Sequence, residues 1–213
     1  ITNSTMSSNS SGREGGGVFA DGGSLSITLS TLRNNTAGRE GGGINTAVTT
    51  NITNSTITGN TVTGANRDGG GLWADADTTV INSTFSENTT TLNGGNVFRE
   101  GGTVRFRNTI LNAGSPANCS GTITNTGTNI DSGNTCFTAT NGSMINTNPN
   151  LGALTGSPAY FPLNTGSPAI DVGNAAACTA APVSNNAQNG LGIRPINGDA
   201  VPGAICDIGS YEA

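Results

Sequence analysis

The stretch Asn54-Ser55-Thr56-Ile57 belongs to one of four copies of the same short sequence phrase. In this copy, Asn60 follows shortly afterwards and Gly69-Gly70-Gly71 lies further on. The copies recur at a nearly constant interval, with their threonines at Thr5, Thr31, Thr56 and Thr84, and a weaker fifth copy contains Thr109. Glycine runs follow the first four copies, at residues 15–17, 41–43, 69–71 and 94–95. Repetition at such an interval is typical of a solenoid, in which each repeat forms one coil and packs against its neighbours.

Apolar residues occupy three matching places in the copies: just after the threonine, shortly before it, and after the glycine run. The three sets are Met6, Leu32, Ile57, Phe85 and Ile110; Ile1, Ile27, Ile52 and Val80; and Val18, Ile44, Leu72 and Val97. Alternation of apolar and polar residues at 25–29 and 104–106 has the period of two that strands show. We therefore predict an all-β parallel solenoid whose three short strands per turn stack their inward side chains into three apolar columns.

An asparagine lies four residues after the threonine in four copies, at Asn9, Asn35, Asn60 and Asn88. Asparagine tolerates left-handed backbone, and its amide can bond both to its own turn and to the next amide in a stack. We interpret this column as an internal asparagine ladder at a corner of the coil, beside an inward threonine ladder; the alternative is a polar stripe that binds a ligand. The Asn-x-Ser/Thr triplets at Asn54, Asn82 and Asn88 coincide with the phrase, so we interpret them as structural rather than as glycosylation acceptors.

A charged pair precedes three of the glycine runs: Arg13-Glu14, Arg39-Glu40 and Arg67-Asp68. Because coils stack, we expect the pairs to lie along one ridge and to form weak, solvent-exposed salt bridges. The alternative is a cation- or sugar-binding row of Glu14, Glu40 and Asp68. A second acidic group on the following bend consists of Asp21, Asp75 and Asp77. No cofactor is required by these patterns; calcium is the one that we consider, and the adjacent arginines argue against it.

The composition excludes several classes of partner. The net charge is −5 and the pI is about 4.4, and all eight basic residues are arginine. A nucleic-acid-binding protein would show a clustered basic face, which this chain lacks, so we expect no nucleic-acid partner. No apolar run is long enough to span a membrane as a helix. Only 33% of the residues are hydrophobic, which suffices for the thin internal stack of a solenoid.

The four cysteines occur late in the chain, at Cys119, Cys136, Cys178 and Cys206. They form no Cys-x-x-Cys pair and the chain has no histidine, so two disulfides fit better than a zinc site. Three connectivities are possible. We favour Cys119–Cys136 and Cys178–Cys206 because each bridge then closes a loop within one segment. Disulfides indicate an oxidising compartment, which predicts a secreted or cell-surface protein.

The repeat ends near residue 113, and the tail becomes rich in proline and glycine. Residues 121–130 still alternate and add one more coil, which gives about five to six coils in total. The remaining tail is too long for a structureless loop in a compact domain. We therefore predict parallel β-helix repeats over residues 1–112, and over 113–213 the final coil or coils followed by an irregular, disulfide-bonded C-terminal cover that packs on the solenoid.

The C-terminal sequence Cys206-Asp207-Ile208-Gly209-Ser210-Tyr211-Glu212 resembles the ending of the bacterial choice-of-anchor surface proteins. Further matches lie at Arg194-Pro195 and at residues 129–136, 148–152 and 167–173. The repeat phrases are also similar to those of chlamydial polymorphic outer-membrane proteins. The resemblance covers essentially the whole chain and implies a right-handed parallel β-helix in a secreted or cell-surface protein, in a group mostly without assigned activity. One departure is that the Asp-Gln-Arg-Gly segment usual before Arg-Pro is replaced around residues 188–190.

The repeated architecture favours a structural function over a catalytic one, because repetition without a singular polar cluster is typical of a scaffold. The chain opens in mid-repeat at Ile1, so we expect unpaired strand edges and an uncovered apolar cross-section there. An upstream segment or another copy would cover this end, and head-to-tail stacking of copies gives an open filament. We therefore predict a non-catalytic extracellular structural or adhesive protein, with copies of itself and surface glycans as partners.

Two further classes of function stay open. Some right-handed β-helices are polysaccharide lyases or hydrolases, whose chemistry requires clustered carboxylates, and fold alone does not decide the matter. Arg105 and Arg107, on an outward strand face after Asp75 and Asp77, are the best candidates for such catalysis. Threonines at 49–50, 61–63 and 89–91 suggest an ice-binding face, although their segments vary in length, which disfavours a regular array.

Overall fold

The computed structural model describes residues 1–190 and 206–213, so Arg194-Pro195 of the family-like pattern lies outside the described residues. Stacked parallel strands form a β-solenoid, which confirms the predicted fold class. The first two coils contain β1 (Thr5–Ser7), β2 (Ser10–Ser11), β3 (Val18–Ala20), β4 (Ser24–Thr28), β5 (Thr31–Arg33), β6 (Thr36–Ala37), β7 (Ile44–Thr46) and β8 (Thr49–Thr53). The later coils contain β9 (Thr56–Thr58), β10 (Thr61–Val62), β11 (Leu72–Ala74), β12 (Thr78–Ile81), β13 (Thr84–Ser86), β14 (Val97–Arg99), β15 (Val104–Arg107), β16 (Ile110–Asn112), β17 (Cys119–Ser120), β18 (Ile123–Asn125) and β19 (Ile130–Asp131).

These strands form four parallel sheets that run along the solenoid. The first has the order β1-β5-β9-β13-β16-β19, the second β10-β6-β2, the third β17-β14-β11-β7-β3 and the fourth β18-β15-β12-β8-β4. The first, third and fourth sheets are the three that the apolar columns predict. The second sheet was not predicted, because its strands are too short to leave an alternating pattern in the sequence.

The regular part of the solenoid makes about four turns, slightly fewer than the five to six coils predicted. The register of the first sheet places Thr5, Thr31, Thr56, Thr84 and Ile110 side by side, each one coil after the residue before it. A shorter turn then leads from Ile110 to its partner Ile130. This last turn is the coil that the alternating residues 121–130 predict.

The fifth copy of the phrase is shifted by one residue from its predicted register. Ile110, and not Thr109, pairs with Thr84, so Leu111 takes the inward place beside Phe85 that the sequence predicts for Ile110. Thr109 instead takes the place of the phrase's serine, because its hydroxyl donates to the carbonyl two residues before it, as the serines do. A slip of one residue exchanges the inward and outward faces of a strand, so Ile110 points away from the solenoid core.

The inward side chains form the apolar core. Its largest fully buried members are Phe85, Phe106, Ile27, Leu32, Ile44, Ile52, Ile57, Leu72 and Leu111. They stack from coil to coil in the three predicted columns; Phe106 continues one column in the fourth coil, and Cys119 continues another into the fifth. The glycine runs make the corner that follows the second sheet. Gly41 has a φ of +68°, and a Cβ on Gly42 would lie 2.5 Å from the Gly70 carbonyl oxygen, so only glycine fits this corner.

We call residues 145–190 and 206–213 the C-terminal cover; it contains β20 (Thr155–Gly156), β21 (Ala159–Tyr160) and α1 (Ala175–Thr179). The cover packs on the outer face of the first sheet. Thr31 Oγ1 donates to the Ala159 carbonyl at 2.5 Å, and Thr56 Oγ1 donates to Gln188 Oε1 at 2.6 Å. The prediction of an inward threonine ladder is therefore wrong. Alternate residues of a strand face opposite sides, so Leu32 points inward and Thr31 points outward, where the cover buries it.

One of two disulfides, together with a second apolar cluster, holds the cover together. The bridges are Cys119–Cys136 and Cys178–Cys206, which confirms the favoured connectivity. Only the second joins two parts of the cover; the first closes the end of the solenoid. The second cluster consists of Ile110, Ile130, Leu163, Ala169 and Ile208, so the outward side chains of β16 and β19 are buried by apolar residues of the cover.

The C-terminal motif docks the cover on the solenoid. Asp207 is buried and accepts hydrogen bonds from the backbone N–H groups of Asp171 and Ala213. Ser210 N donates to Thr84 Oγ1 at 3.2 Å, and the Gly209 N–H donates to the Asn108 carbonyl at 2.8 Å. The residues that carry the family resemblance thus have a structural role in this chain.

Candidate functional site

The asparagine column forms an internal ladder, as predicted. Each Nδ2 donates to the Oδ1 of the next coil: Asn9 to Asn35, Asn35 to Asn60 and Asn60 to Asn88, each at 2.9 Å. The same Oδ1 atoms also accept backbone N–H bonds from the neighbouring rung. The left-handed residues are those just before the rungs, such as Asn34 (φ 54°) and Glu87 (φ 59°), rather than the ladder asparagines. With Asn35, Asn60 and Asn88 fully buried, this column is not a surface stripe.

The ladder extends beyond the predicted residues. Asn88 Nδ2 donates to Asn96 Oδ1 at 2.8 Å, and Asn96 Nδ2 donates to Asn118 Oδ1 at 2.7 Å. Neither residue keeps the spacing of the phrase: Asn96 stands where the other glycine runs have their third glycine, so no periodic signal marks it in the sequence. The triplet asparagines Asn54 and Asn82 are also fully buried, which agrees with a structural role.

The predicted charged ridge is present, and its ion pairs join successive coils. Arg39 Nη1 lies 3.3 Å from Glu14 Oε1, and Arg67 Nη1 lies 2.8 Å from Glu40 Oε1. Arg13 also lies 3.4 Å from Glu14. Arg39 and Arg67 thus each pair with the acid of the coil before them. The carboxylates of Glu14 and Glu40 face guanidinium groups in this arrangement.

The ridge series ends at Asp68. The next coil has Leu92 at the place of Arg39 and Arg67, since the Leu92 N–H bonds to the Arg67 carbonyl. Among the described residues, Asp68 Oδ1 has no hydrogen-bond partner although the atom is inaccessible to solvent. The ion pairs between successive coils therefore end where leucine takes the place of the arginine.

The environment of Glu14 lowers the pKa of its carboxyl group. The largest cause is a hydrogen bond from the Glu14 backbone N–H, which burial partly opposes. The hydrogen bond from Arg39 and the positive charges of Arg13 and Arg39 lower the pKa further. The Glu14 carboxylate at the start of the ridge therefore keeps its charge to a lower pH than an unpaired glutamate does.

Aromatic side chains occupy the outer face of the third sheet. The register aligns Phe19, Asn45, Trp73 and Phe98 on neighbouring strands. Phe19 is 55% exposed, whereas Trp73 and Phe98 are partly exposed. Large apolar side chains of this kind are normally buried in a soluble protein, so an exposed row of them marks a candidate contact surface.

Phe19 and Trp73 line a shallow cavity of about 320 Å³, which we call the aromatic trough. Asn45 and Ala47 form its floor between the two rings. One wall is the charged ridge with Arg13, Glu14 and Glu40, and the opposite wall is the bend with Asp21 and Asp75. A second cavity of about 510 Å³ shares Arg13, Glu14, Phe19 and Asp21 with the first, so the trough continues past Phe19 along the solenoid.

The predicted acidic residues therefore separate into distinct environments. Glu14, Glu40, Asp21 and Asp75 line the trough. Asp77 lies on the adjoining bend, where its Oδ1 accepts from the Thr103 N–H at 2.8 Å and its Oδ2 lies 3.8 Å from Arg105. In the part of the chain that the structure describes, no hydrogen bond or ion pair engages the side chains of Asp21 and Asp75, and both residues are exposed.

The candidate catalytic arginines lie on another sheet. Arg105 and Arg107 are on β15 of the fourth sheet, and neither lines the aromatic trough. Arg105 faces Asp77, while Arg107 Nε donates to the Thr126 carbonyl at 3.3 Å. Within residues 1–190 and 206–213, no group of three or more acidic, cysteine or histidine side chains is arranged to hold a metal ion.

The threonines considered for ice binding do not share one face. Thr50 is fully buried, and Thr61 and Thr89 bond each other through their hydroxyls at 3.1 Å. The hydroxyls of Thr90 and Thr91 donate to the carbonyls of Arg67 and Gly64. These side chains lie on different strands and turns, so they form no regular outward array.

Comparisons of the chain with protein-family models, with curated proteins and with solved structures gave no match. Among the described residues, no helix has the length and apolar character needed to cross a membrane. The assignment of function therefore depends on the geometry of the trough and of the scaffold beneath it.

Proposed function

We propose that this protein is a non-catalytic, extracellular adhesive protein whose β-solenoid presents the aromatic trough to surface glycans. The observation that carries the proposal is the accessible pair Phe19 and Trp73 with carboxylates on both sides. Ligand sites combine an apolar surface with a few polar groups that fix orientation, and the trough has both.

A glycan fits this combination because a sugar ring has apolar C–H faces and a hydroxyl edge. The C–H faces stack on Phe19 and Trp73, and the hydroxyls donate to the carboxylates beside them. The trough is shallow and open at Phe19, where its two cavities meet. Such a shape suits a chain that passes along the surface rather than a small molecule enclosed in a pocket.

The scaffold suits an extracellular role. Its core side chains, amide ladder and two disulfides fix the positions of the outward residues. Structural disulfides persist in oxidising compartments, which supports secretion or a cell-surface location. The sequence from Cys206 to Glu212, which resembles the ending of the choice-of-anchor surface proteins, also suits a cell-surface location.

Retention on insoluble polysaccharides tests the proposal. The wild type should be retained, and Phe19→Ala/Trp73→Ala should lose most of this retention. Val172→Ala is the matched control, since Val172 is also an exposed apolar residue (41%) but lies in the cover, away from the trough. Wild type that passes through every polysaccharide, or retention that survives the double substitution, would refute the proposed role of the trough. New reducing or unsaturated ends in the polymer would instead indicate a carbohydrate-active enzyme.

Self-association through the solenoid ends is a second candidate function. Asn9 is the exposed first rung of the ladder, and among the described residues no group donates to its side-chain oxygen. A further coil, from the same or another chain, can therefore add to the ladder in register. Head-to-tail addition of copies predicts a concentration-dependent series of species in analytical ultracentrifugation. A single monomeric species at all concentrations would contradict it.

A further inference from the structure

We infer that the aromatic trough binds a linear amino-sugar glycan, with sugar rings on Phe19 and Trp73 and free ammonium groups at Asp21 and Asp75. This inference rests on the proposed function and specifies the chemical class of its ligand. It follows from two properties of the trough: the unequal charge of its walls and the spacing of its repeated residue pairs.

The two walls of the trough differ in charge. On the ridge side, Arg39 and Arg67 offset the carboxylates of Glu14 and Glu40. On the opposite side, Asp21 and Asp75 are exposed, and no cationic side chain among the described residues pairs with them. A bound chain therefore meets a largely neutral wall on one side and an acidic wall on the other. A ligand with complementary charge therefore carries positive groups on the side that faces the two aspartates.

Within the trough, the aromatic and acidic residues occur as two pairs; a further pair, Phe98 and Glu100, lies on the strand after Trp73 and does not line the trough. Phe19 is followed two residues later by Asp21, and Trp73 by Asp75. The strands that carry the two rings are separated by one strand, β7, which has Asn45 and Ala47 at the equivalent places. Because parallel strands lie about 4.8 Å apart, the two pairs are roughly 10 Å apart along the solenoid.

The two-coil separation of the two pairs in the trough matches the repeat of an extended β-linked glycan. Successive rings of such a chain are turned over relative to each other, so every second ring presents the same face and the same substituent to one side. Two such rings meet Phe19 and Trp73, and their ring substituents meet Asp21 and Asp75. The ring between them lies over the exposed Ala47 and the buried Asn45, where that coil has no aromatic side chain.

A positively charged substituent on the sugar fits the aspartates better than a neutral or a negatively charged one. An ammonium group both pairs with a carboxylate and gains from a nearby aromatic face, so both residues of each pair favour it. A uronate polymer would place carboxylates beside Asp21 and Asp75, and like charges at close range are unfavourable. The overall charge of −5 adds to this discrimination.

Isothermal calorimetry with three hexasaccharides of equal length tests the ligand class: glucosamine, N-acetylglucosamine and galacturonic acid. The titrations are made at a pH where the amines of glucosamine are protonated. We expect the glucosamine hexamer to bind about tenfold more tightly than the acetylated hexamer, and the galacturonate hexamer to bind most weakly. The preference for glucosamine should shrink at high salt, because exposed ion pairs are screened.

Substitutions locate the charge effect. Asp75→Asn should weaken binding of the glucosamine hexamer by about threefold to fivefold and leave the acetylated hexamer unaffected. Glu87→Gln removes one charge from an exposed corner outside the trough and should change neither affinity. A circular dichroism spectrum of each variant confirms that it is folded. A loss for both hexamers in Asp75→Asn would indicate a general structural effect and overturn the inference.

The outcomes separate this inference from the proposed function. Equal binding of the glucosamine and acetylated hexamers, or tightest binding of galacturonate, would overturn the amino-sugar assignment and leave a glycan adhesin. The absence of binding to all three hexamers, together with no retention on any polysaccharide, would overturn both. Preferential binding of the glucosamine hexamer that disappears in Asp21→Asn/Asp75→Asn would support both.

Discussion

The side-chain amide of Asn118 donates to the carboxylate of Asp131 at 2.5 Å. This contact ends a ladder of six stacked asparagine amides on a buried acceptor. Asp131 Oδ1 also accepts from the Gly133 N–H, and Oδ2 accepts from the N–H groups of Thr135 and Cys136. An amide ladder has a donor left over at one end, and a carboxylate is the side chain that accepts it without presenting a donor of its own.

Asp131→Asn should therefore destabilise the protein markedly. An asparagine has one oxygen, so its amide nitrogen would face two N–H donors that now bond to carboxylate oxygens. Each buried donor without an acceptor costs about 1–3 kcal/mol, which predicts a loss of about 2–5 kcal/mol in the free energy of unfolding. Unfolding in guanidinium chloride, with both disulfides intact, measures this loss of stability. Asp21→Asn, at an exposed position, should change the value by less than about 0.5 kcal/mol; equal effects of the two substitutions would contradict the role of Asp131.

Gln188→Ala should loosen the C-terminal cover. Gln188 is buried, and its Nε2 lies 2.9 Å from Thr31 Oγ1, 3.0 Å from the Ala159 carbonyl and 3.1 Å from that of Ser30. Its removal breaks these hydrogen bonds and the one from Thr56, although the Thr31 hydroxyl and the Ala159 carbonyl keep their bond to each other and the Thr56 hydroxyl keeps its contact with Ser210. We expect a loss of about 2–4 kcal/mol in unfolding free energy and faster proteolysis of the cover.

Val172→Ala is the control for the glutamine substitution. Val172 lies in the same cover but is 41% exposed, so its truncation should have little effect on either measurement. If Gln188→Ala is no less stable than Val172→Ala, the glutamine does not hold the cover on the first sheet.

Leu92→Arg should stabilise the protein by extending the ridge. Leu92 occupies the place of Arg39 and Arg67, and the acid of the coil before it is Asp68, whose Oδ1 lacks a partner among the described residues. An arginine there should add about 0.2–1 kcal/mol to the unfolding free energy, and the gain should fall as salt is raised. Leu92→Gln is the control, because glutamine is polar but lacks the positive charge of arginine. Equal stabilisation by glutamine and arginine would show that pairing with Asp68 is not the cause.

The pKa of Glu14 should be below that of an unpaired glutamate in the folded protein. A folded-state pKa lower than the unfolded one means that Glu14 contributes stability above the unfolded pKa and that this contribution is lost as the pH falls through the folded pKa. Arg39→Gln should raise the Glu14 pKa part of the way, because the bond from the Glu14 backbone N–H remains. NMR titration of the Glu14 carboxyl carbon measures both values; the same pKa in both proteins would contradict the contribution of Arg39.

The periodic features of the fold were predictable from the sequence, because each coil repeats the same inward environment. The three apolar columns and the rungs from Asn9 to Asn88 follow from the nearly constant interval between the copies of the phrase. The one-residue slip at Ile110 was not predictable from the phrase, since Thr109 resembles the threonine of the other copies. Only the strand register of the first sheet shows that Thr109 takes the place of the serine of the phrase.

The non-periodic contacts could not be predicted. Gln188 reaches Thr31 across 157 residues, and Ser210 reaches Thr84 across 126 residues. Nothing local in the sequence specifies such a pairing, which depends on how the cover docks. The trough was predictable only in part. Asp21 and Asp75 stood out as acidic residues on one bend, but their place beside Phe19 and Trp73 depends on the register of the third sheet.

The fluorescence of Trp73 tests the central claim most directly, because it is the one tryptophan of the chain and it lies in the trough. Titration with the glucosamine hexamer should give a saturable change in emission, with the same affinity as calorimetry. Phe19→Ala should weaken this change, and Val172→Ala should not. Binding that calorimetry detects without any change in Trp73 emission would place the glycan elsewhere on the protein and contradict the claim that the aromatic trough is the binding site.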